Sequence, residues 1–303
     1  MWRGAAAARA KFACRRPIDR DQGMNYRHGF HAGNFADVLK HALLARLLSH
    51  FMRKNARFRV LDTHAGEGAY DLFCDEAERT GEWRGGVGRL ADLSGAAPQV
   101  RDLLAPYIDV LGPFQDGRPR IYPGSPLLAQ GFLGEHDRAI FCELREDAFA
   151  ALRRRFARDK RIKTINLDGY TAAGAFVPPI ERRGLVLIDP PFEQPNEFRA
   201  MFAAFRAAYR KWPTGVYVLW HPVKDFAPMK SFLESFREAG IRRVLRIELC
   251  VGGRGERLSR AGLVVVNPPF GFEAEARAIL PFLTERLAQG QGAGFVVEEV
   301  AGE

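Results

Sequence analysis

The stretch that decides the fold is Gly184-Leu185-Val186-Leu187-Ile188-Asp189-Pro190-Pro191-Phe192. Five apolar or small residues in a row predict a fully buried strand, and the acid and two prolines that follow end it abruptly. The two prolines have no amide hydrogen and a fixed φ, so the loop after the strand is stiff. The chain therefore contains a core strand whose carboxyl end is rigid and carries polar groups.

The tetrapeptide Asp189-Pro190-Pro191-Phe192 combines two hydrogen-bond acceptors with an aromatic ring. The Asp189 carboxylate can accept one hydrogen bond from an exocyclic amine, and the Pro190 carbonyl can accept another. The Phe192 ring can stack on a flat base. This combination indicates methyl transfer to an amino nitrogen. A tight turn after a core strand is the alternative interpretation, because Asp-Pro often opens turns.

A second copy of this tetrapeptide, Asn267-Pro268-Pro269-Phe270, follows another apolar run, Ala261–Val266. Asparagine can also accept a hydrogen bond, so the tetrapeptide alone does not choose between the two copies. Asp189 ends the fourth predicted strand of the chain, whereas Asn267 ends the seventh and last. We expect Asn267 to be structural.

Seven predicted strands alternate with helical patterns such as Asp147–Arg158 and Asn196–Lys211. This alternation predicts an α/β fold with a mostly parallel sheet, covered on both faces and closed by a terminal hairpin. The predicted strands are Phe58–Asp62, Ala139–Glu143, Ile162–Leu167, Leu185–Asp189, Val216–Trp220, Val244–Leu249 and Leu263–Val266.

Asn34 is the predicted N-cap of a helix that precedes the first strand. The predicted apolar face of this helix is Phe35, Val38, Leu39, Ala42, Leu47 and Phe51. The connection from Asp62 to Ala139 is too long for an ordinary crossover, which predicts an inserted helical subdomain at about 69–120. At its end, Tyr122-Pro123-Gly124-Ser125-Pro126 predicts a helix start with Ser125 as N-cap.

The 303 residues carry a net charge of +9, with pI ≈ 9.6, which favours a polyanionic partner, nucleic acid before acidic membrane. No apolar run approaches the roughly 18 residues that span a bilayer. The four cysteines form no CxxC pair, so neither a disulfide framework nor a zinc site is predicted, and a reducing cytoplasm is expected. Residues 1–23, rich in Ala and Arg, are predicted to be a disordered extension before a methyltransferase domain over 24–303 that starts at Met24.

Four predicted strands in succession end in groups suited to a nucleotide-like cofactor: the loop Asp62–Gly68, then Glu143, then Asp168-Gly169, then Asp189. In a doubly wound sheet, ligands bind at the carboxyl ends of the strands. The loop lacks full GxGxxG spacing, which disfavours an ordinary dinucleotide site. A carboxylate such as Glu143 can bind both hydroxyls of a ribose. This layout predicts S-adenosylmethionine beside a target-base clamp.

Six motifs together resemble the RlmJ family, and the resemblance covers nearly everything from Met24 onward. They lie at 26–34, 37–41, 61–66, 78–82, 122–126 and 187–191. The resemblance implies a Rossmann-like class I methyltransferase fold and S-adenosylmethionine-dependent methylation of N6 of one adenine, adenine 2030, in 23S ribosomal RNA.

The resemblance also implies roles for individual residues. Asp189 would be the catalytic acceptor, and Tyr26, His28 and Lys40 match positions that serve the RNA or the reaction. Phe192 stands where this motif commonly has Tyr, which keeps stacking but loses a hydroxyl. The residues that would contact S-adenosylmethionine are His41, His64, Ser125, Glu143, Asp168 and Gly169.

Rival functions remain at this point: amino-methyl transfer to DNA adenine or protein glutamine, or non-catalytic RNA binding on the same fold. The presence of Glu143, Asp168 and Asp189 argues against the non-catalytic reading. His28, His31, His41 and His64 with Asp37 could be read as a metal cluster, but no Cys joins them and the spacing fits no familiar zinc pattern, so no metal is predicted.

The expected partner is 23S ribosomal RNA, with no membrane partner, no obligatory protein partner and a monomeric protein. Phosphate contacts could come from Arg27, Arg79, Arg84, Arg89, Arg153, Arg154 and Arg155.

Overall fold

The computed structural model describes residues 27–253 and 258–302. Tyr26 and the predicted extension 1–23 lie outside the described residues, so the predictions made for them stay predictions. The strands are β1 Arg59–Asp62, β2 Ala69–Asp71, β3 Phe114–Gln115, β4 Arg118–Pro119, β5 Ile121–Pro123, β6 Arg138–Cys142, β7 Ile162–Ile165, β8 Gly184–Ile188, β9 Val216–Pro222, β10 Val244–Cys250, β11 Arg260–Val266 and β12 Gly294–Ala301.

Helices cover both faces of the main sheet. They are α1 Phe35–Met52, α2 Asp75–Thr80, α3 Pro98–Leu111, α4 Ser125–Phe132, α5 Glu146–Phe156, α6 Gly169–Ala175, α7 Glu197–Lys211, α8 Phe226–Glu238 and α9 Phe272–Leu287. Short 3-10 helices cover His28–Phe30, Glu82–Gly85 and Val87–Leu90. Over the ranges 27–253 and 258–302, no helix has the length and apolar character needed to cross a membrane.

The main sheet has the order β12-β10-β11-β9-β8-β1-β6-β7. Strands β9, β8, β1, β6 and β7 run parallel, and the predicted terminal hairpin is the antiparallel pair β10–β11. The prediction of seven strands was wrong by one, because β12 adds an antiparallel edge beside β10. Only Val297 and Val300 are buried in β12, so its sequence carries a weak strand pattern.

Strand β8 lies at the centre of the sheet and all five of its residues are buried, as its apolar run predicts. It pairs with β1 on one side and β9 on the other, so its backbone hydrogen bonds are satisfied on both edges. One core cluster includes residues of α1, α3, α4 and α9, and a second includes residues of α6, α7 and α8. This sandwich fixes the carboxyl end of β8 in a rigid frame.

Helix α1 begins as predicted and is buried more completely than predicted. The Asn34 side chain accepts hydrogen bonds from the backbone N–H groups of Ala36 and Asp37, which confirms it as the N-cap. All six residues of the predicted apolar face are buried, and burial extends to every other residue of α1 except Ser49 and Met52. The helix contacts α3, α4, α9 and β11, so its polar residues must find partners inside the protein.

The segment at 69–120 contributes to the same core as α1. It contains α2, α3 and short strands, and its buried Trp83, Leu104 and Tyr107 belong to the α1 core cluster. Its boundaries as a subdomain stay a prediction. At its end, the predicted cap is wrong by one residue: Gly124 is the N-cap of α4, and Ser125 is the first helical residue. The Ser125 hydroxyl instead donates to the Asp62 carboxylate.

Asn267 has the structural role predicted for it. Strand β11 is antiparallel to β9, so the residue after β11 lies at the edge of the sheet opposite to Asp189. The Asn267 amide donates to the carbonyls of Pro213 and Gly215, both at 2.8 Å, and its φ is +55°. Asparagine tolerates this left-handed backbone better than most residues do.

A buried charge cluster joins strands β9, β10 and β11. Gly262 of β11 pairs with both His221 and Glu248, and a Cβ there would lie 2.6 Å from Glu248 Cγ. The Glu248 carboxylate accepts from Arg246 at 2.7 Å and from Arg260 at 2.8 Å. His221 is buried, and its ring contacts those of Phe198 and Phe232 while Glu248 lies in the same row of paired residues.

His221 makes stability depend on pH. Burial lowers the pKa of its imidazole from 6.5 to about 4, although Glu248 opposes the shift. Between these values the unfolded chain binds a proton that the folded chain does not, so stability falls as the pH drops through this window. Between about pH 7.5 and pH 5, wild type should lose about 2 kcal/mol more unfolding free energy in urea than His221→Phe. Equal losses in the two proteins would contradict this assignment.

Candidate active site

The carboxyl ends of β8, β1, β6 and β7 meet at one edge of the sheet and open into a pocket of about 900 Å³. Parallel alignment explains why residues far apart in sequence converge here. Tyr26 is outside the described residues. All other predicted site residues line this pocket, and they are His28, Lys40, His41, His64, Ser125, Glu143, Asp168, Gly169, Asp189, Pro190 and Phe192.

Asp189 is held by a buried cation. The Lys40 ammonium lies 2.7 Å from Asp189 Oδ2 and 3.0 Å from Asp37 Oδ1, and the Lys40 residue is 5% exposed. Burial alone would lower the pKa of Lys40, but the carboxylates of Asp189 and Asp37 raise it above its ordinary value. Lys40 is therefore a permanent positive charge between two carboxylates.

Asp37 links Lys40 to His28, which also lines the pocket. Its Oδ2 lies 2.9 Å from His28 Nε2 and accepts the Gly33 backbone N–H at 2.9 Å. Burial disfavours its charge, yet His28 and Lys40 hold the pKa of the carboxyl well below its usual range. We call these four residues, Asp189, Lys40, Asp37 and His28, the ion-pair network. Asp37 was absent from the predicted site because its sequence position also fits helix capping.

Phe192 ends the tetrapeptide in a strained backbone conformation. Its φ is +52°, which is uncommon for a bulky residue and persists only where packing imposes it. The Phe192 ring packs against Phe198 at 5.0 Å and Trp220 at 5.8 Å between centroids. These contacts fix the loop that carries the Pro190 carbonyl.

Glu143 follows β6 on the other side of the pocket. Its two oxygens accept the backbone N–H groups of Gly66 and Arg145, both at 2.8 Å. Burial raises the pKa of the Glu143 carboxyl, while those N–H groups lower it. A carboxylate has about four lone-pair sites, so two such bonds leave acceptor capacity for ligand hydroxyls.

Gly169 lies where two segments of the chain approach each other closely in this half of the pocket. A Cβ there would lie 2.5 Å from the Thr63 carbonyl and 2.5 Å from His64 Cε1. His64 Nδ1 is 2.8 Å from the Thr63 hydroxyl, which itself donates to the Leu187 carbonyl. Burial lowers the pKa of His64, so its ring is neutral at pH 7. Next to Gly169, Asp168 caps α6 by accepting the Thr171 N–H.

Asp62 is a buried acid that contacts the pocket-lining residues Ser125 and His64, and it was not itself predicted to contact the cofactor. It ends β1, is 1% exposed, and accepts from the Ser125 hydroxyl at 2.6 Å and the His64 N–H at 3.2 Å. Burial raises the pKa of its carboxyl to about 7, and Asp189 adds to the increase. The strand-end rule had selected the loop that begins at Asp62, although it assigned the carboxylate itself no role.

His41 lies on α1 next to Lys40 and is almost fully buried. Its Nδ1 is 2.8 Å from the Tyr122 hydroxyl, which is 3.1 Å from the Tyr107 hydroxyl. Within the part of the chain that the structure describes, its Nε2 has no hydrogen-bond partner. Burial and Lys40 hold the pKa of His41 well below its usual range, so a neutral ring faces the pocket.

The sequence profile described as "Ribosomal RNA large subunit methyltransferase D, RlmJ" matches residues 55–299. The chain belongs to the RlmJ family. It is 38% identical over 267 residues to ribosomal RNA large subunit methyltransferase J of Escherichia coli K12, covering 87% of this chain and 94% of that protein. The protein of the same name from Haemophilus influenzae is 37% identical over 284 residues, covering 92% of this chain and 100% of that one.

A crystal structure from Legionella pneumophila has the same fold as this RlmJ-family chain. The TM-score is 0.81 at 33% identity, covering 89% of this chain and 98% of that chain. The predicted Rossmann-like methyltransferase fold is confirmed, with eight strands in place of seven.

Two histidines of this RlmJ-family chain, His28 and His31, contact carboxylates. His28 contacts Asp37, and His31 Nδ1 lies 3.0 Å from Glu82. Hydrogen bonding to Glu82 raises the pKa of His31. In the described ranges, no group of three or more His, Cys, Asp and Glu side chains could hold a metal ion.

Proposed function

We propose that the protein transfers a methyl group from S-adenosylmethionine to the N6 amine of an adenine in large-subunit ribosomal RNA, adenine 2030 of 23S RNA. The observation that carries this proposal is the Asp189-Pro190 acceptor pair, which opens into the same pocket as Glu143 and Asp168. The pocket is at the upper end of the range for one ligand, about 300–1,000 Å³, which suits a cofactor and a base together.

The chemistry of the residues around the pocket fits S-adenosylmethionine. Glu143 would accept the ribose hydroxyls, and the neutral His41 offers an unpartnered Nε2. Gly169 keeps the pocket floor open where a side chain would collide with Thr63. We assign His64, Ser125 and Asp168 to the same half of the pocket. The bound cofactor supplies an electrophilic methyl group on a sulfonium.

The acceptor half orients the target amine. The adenine is unstacked from the RNA and enters with Phe192 beside it, and Tyr26 is expected to stack or contact the RNA. Asp189 and the Pro190 carbonyl accept the two N6 hydrogens, which fixes the direction of the nitrogen lone pair. This orientation matters because the N6 lone pair is delocalised into the ring and attacks poorly without it.

The ion-pair network stabilises the positive charge that develops on N6. Asp189 and Asp37 carry two negative charges, while Lys40 carries one positive charge, so the three groups together are negative. A fixed negative field at the amine favours the cationic transition state. Asp189 accepts the N6 proton after methyl transfer. Lys40, Asp37 and His28 act as positioning residues for Asp189.

The direct test is transfer of labelled methyl from S-adenosylmethionine to 23S RNA that lacks its modification, followed by nucleoside analysis. We expect N6-methyladenosine at one site. Transfer to DNA or to a protein glutamine, with none to RNA, would replace this substrate with one of the rivals. Those rivals are disfavoured because relatives covering most of the chain are named ribosomal RNA methyltransferases.

RNA binding should weaken steeply with salt because the protein carries a net charge of +9. Arg27 and the exposed Lys224 line the pocket, and Arg57 is exposed before β1 at the opposite edge of the sheet. In filter binding between about 50 and 200 mM salt, Arg27→Gln and Lys224→Gln should each reduce the log–log slope by about one. Arg57→Gln is the control and should leave the slope unchanged. A flat salt response of wild type would contradict a phosphate footprint.

We further propose that the protein acts as a monomer in the cytoplasm. One chain supplies every residue assigned to the pocket, so no second copy is required. Light scattering in the presence and absence of RNA measures this directly.

A further inference from the structure

We propose that Trp220 forms a wall of the acceptor site and contacts the flat face of the base to be methylated. The inference rests on the proposed function and deepens it, because it assigns the selection of a planar acceptor to a residue outside the tetrapeptide.

Trp220 lies next to Asp189, the proposed acceptor, at the carboxyl ends of two neighbouring strands. Strands β8 and β9 are parallel, and Ile188 pairs with Leu219, so Asp189 and Trp220 follow side by side. Side chains alternate between the two faces along each strand, and paired residues point to the same face, so Asp189 and Trp220 share one face of the sheet. That face is covered by α1, which carries Lys40.

Trp220 is the residue of β9 with the most exposed side chain, and it lines the pocket. The other six residues of the strand are buried, whereas Trp220 is partly exposed and lines the same pocket as Asp189. A large ring that remains accessible at the end of a buried strand provides an apolar surface for a ligand.

Phe192 supports the Trp220 ring. The two rings meet edge to face, at 73° and 5.8 Å, and Phe192 also packs against Phe198. Phe192 is thus held from behind by the second core cluster. Phe192 has its positive φ of +52° in this arrangement, with its ring against Trp220.

The surroundings of Trp220 suit a nucleotide. Pro222 and Leu258 continue the apolar lining, and the exposed Lys224 adds a positive charge at the same side of the pocket. The Trp220 ring would contact the base of a nucleotide, and the Lys224 ammonium would contact its phosphate. Asp189 and Pro190 recognise the amine by hydrogen bonding, whereas Trp220 selects a planar ring by contact with its face.

The kinetic test compares Trp220→Leu and Trp220→Phe in methyl transfer to unmodified 23S RNA. Loss of one base–aromatic stack predicts a kcat/KM for RNA that is roughly 5- to 150-fold lower in Trp220→Leu, expressed mainly in KM. Trp220→Phe should stay within about threefold of wild type because a ring is retained. Calorimetry should give both variants wild-type affinity for S-adenosylmethionine. Equal kcat/KM in wild type and Trp220→Leu overturns the proposal.

Tryptophan fluorescence gives a second test that survives misfolding of Trp220→Leu. RNA containing the target adenine should quench wild type and Trp212→Phe, since Trp212 is buried against Tyr217 in the other core cluster. Trp220→Phe should lose that quench, and persistence of the full quench in this variant counts against the contact. If wild type methylates no RNA, the proposed function fails, and the quench alone decides whether RNA reaches Trp220.

Discussion

Asp189→Ala should lower methyl transfer to 23S RNA by about 10³-fold or more while leaving S-adenosylmethionine binding near normal. The change removes the acceptor for one N6 hydrogen and takes the net charge of Asp189, Lys40 and Asp37 from −1 to zero, and both features act in the transition state. Single-turnover transfer of labelled methyl and calorimetry with the cofactor measure the two effects. Activity within a few fold of wild type would exclude Asp189 as the acceptor.

The second tetrapeptide provides the matched control for Asp189→Ala. Asn267→Ala removes two hydrogen bonds and places alanine at a φ of +55°, so it should cost about 1–2 kcal/mol of unfolding free energy. Asn267 lies at the opposite edge of the sheet, so the folded variant should transfer methyl at the wild-type rate. A selective loss of transfer in Asn267→Ala would mean that the two copies have been assigned the wrong way round.

Lys40→Met should damage both stability and activity. Lys40 is buried between Asp37 and Asp189, and removing one partner of a buried ion pair costs about 3–5 kcal/mol because the other charge is left unpaired. Methyl transfer should fall about 10²-fold because Asp189 loses the group that orients it. Urea unfolding and single-turnover transfer measure these losses.

The double variant Lys40→Met/Asp37→Asn separates the two losses. It neutralises Asp37, the more deeply buried of the two carboxylates that lose Lys40, so much of the unfolding free energy should return. Methyl transfer should stay low, because Asp189 still lacks its cation. Recovery of activity together with stability would show that Lys40 matters only for folding. Asn34→Ala is the control for helix capping, since it weakens the start of α1 without touching Lys40.

Local sequence patterns predicted the frame of the site. The apolar run before Asp189 predicted a buried central strand, and Asn34 predicted the start of α1, because both depend on neighbours in sequence. The carboxylates at strand ends could be placed at one edge because parallel strands bring their carboxyl ends together. Phe192 departs from the common motif, and the sequence alone indicated that stacking would be retained.

The partners of those carboxylates were decided by tertiary structure. Lys40 and Asp189 are 149 positions apart, and only the burial of α1 on all sides brings the ammonium to the carboxylate. The predicted apolar face of α1 did not include Lys40, so the helix pattern by itself gave no reason to expect its burial. Asp37 joined the site for the same reason, because a buried carboxylate requires a partner.

The sequence by itself determined a doubly wound α/β fold, a rigid acceptor loop after β8 and a set of acids for a nucleotide-like cofactor, because these follow from local periodicity and from residue chemistry. The order of the strands already predicted that Asp189, and not Asn267, faces the pocket, and the tertiary structure supplied the physical reason, since β11 runs antiparallel to β9. Only the tertiary structure decided that Trp220 lies beside Asp189, because register between strands is a long-range property.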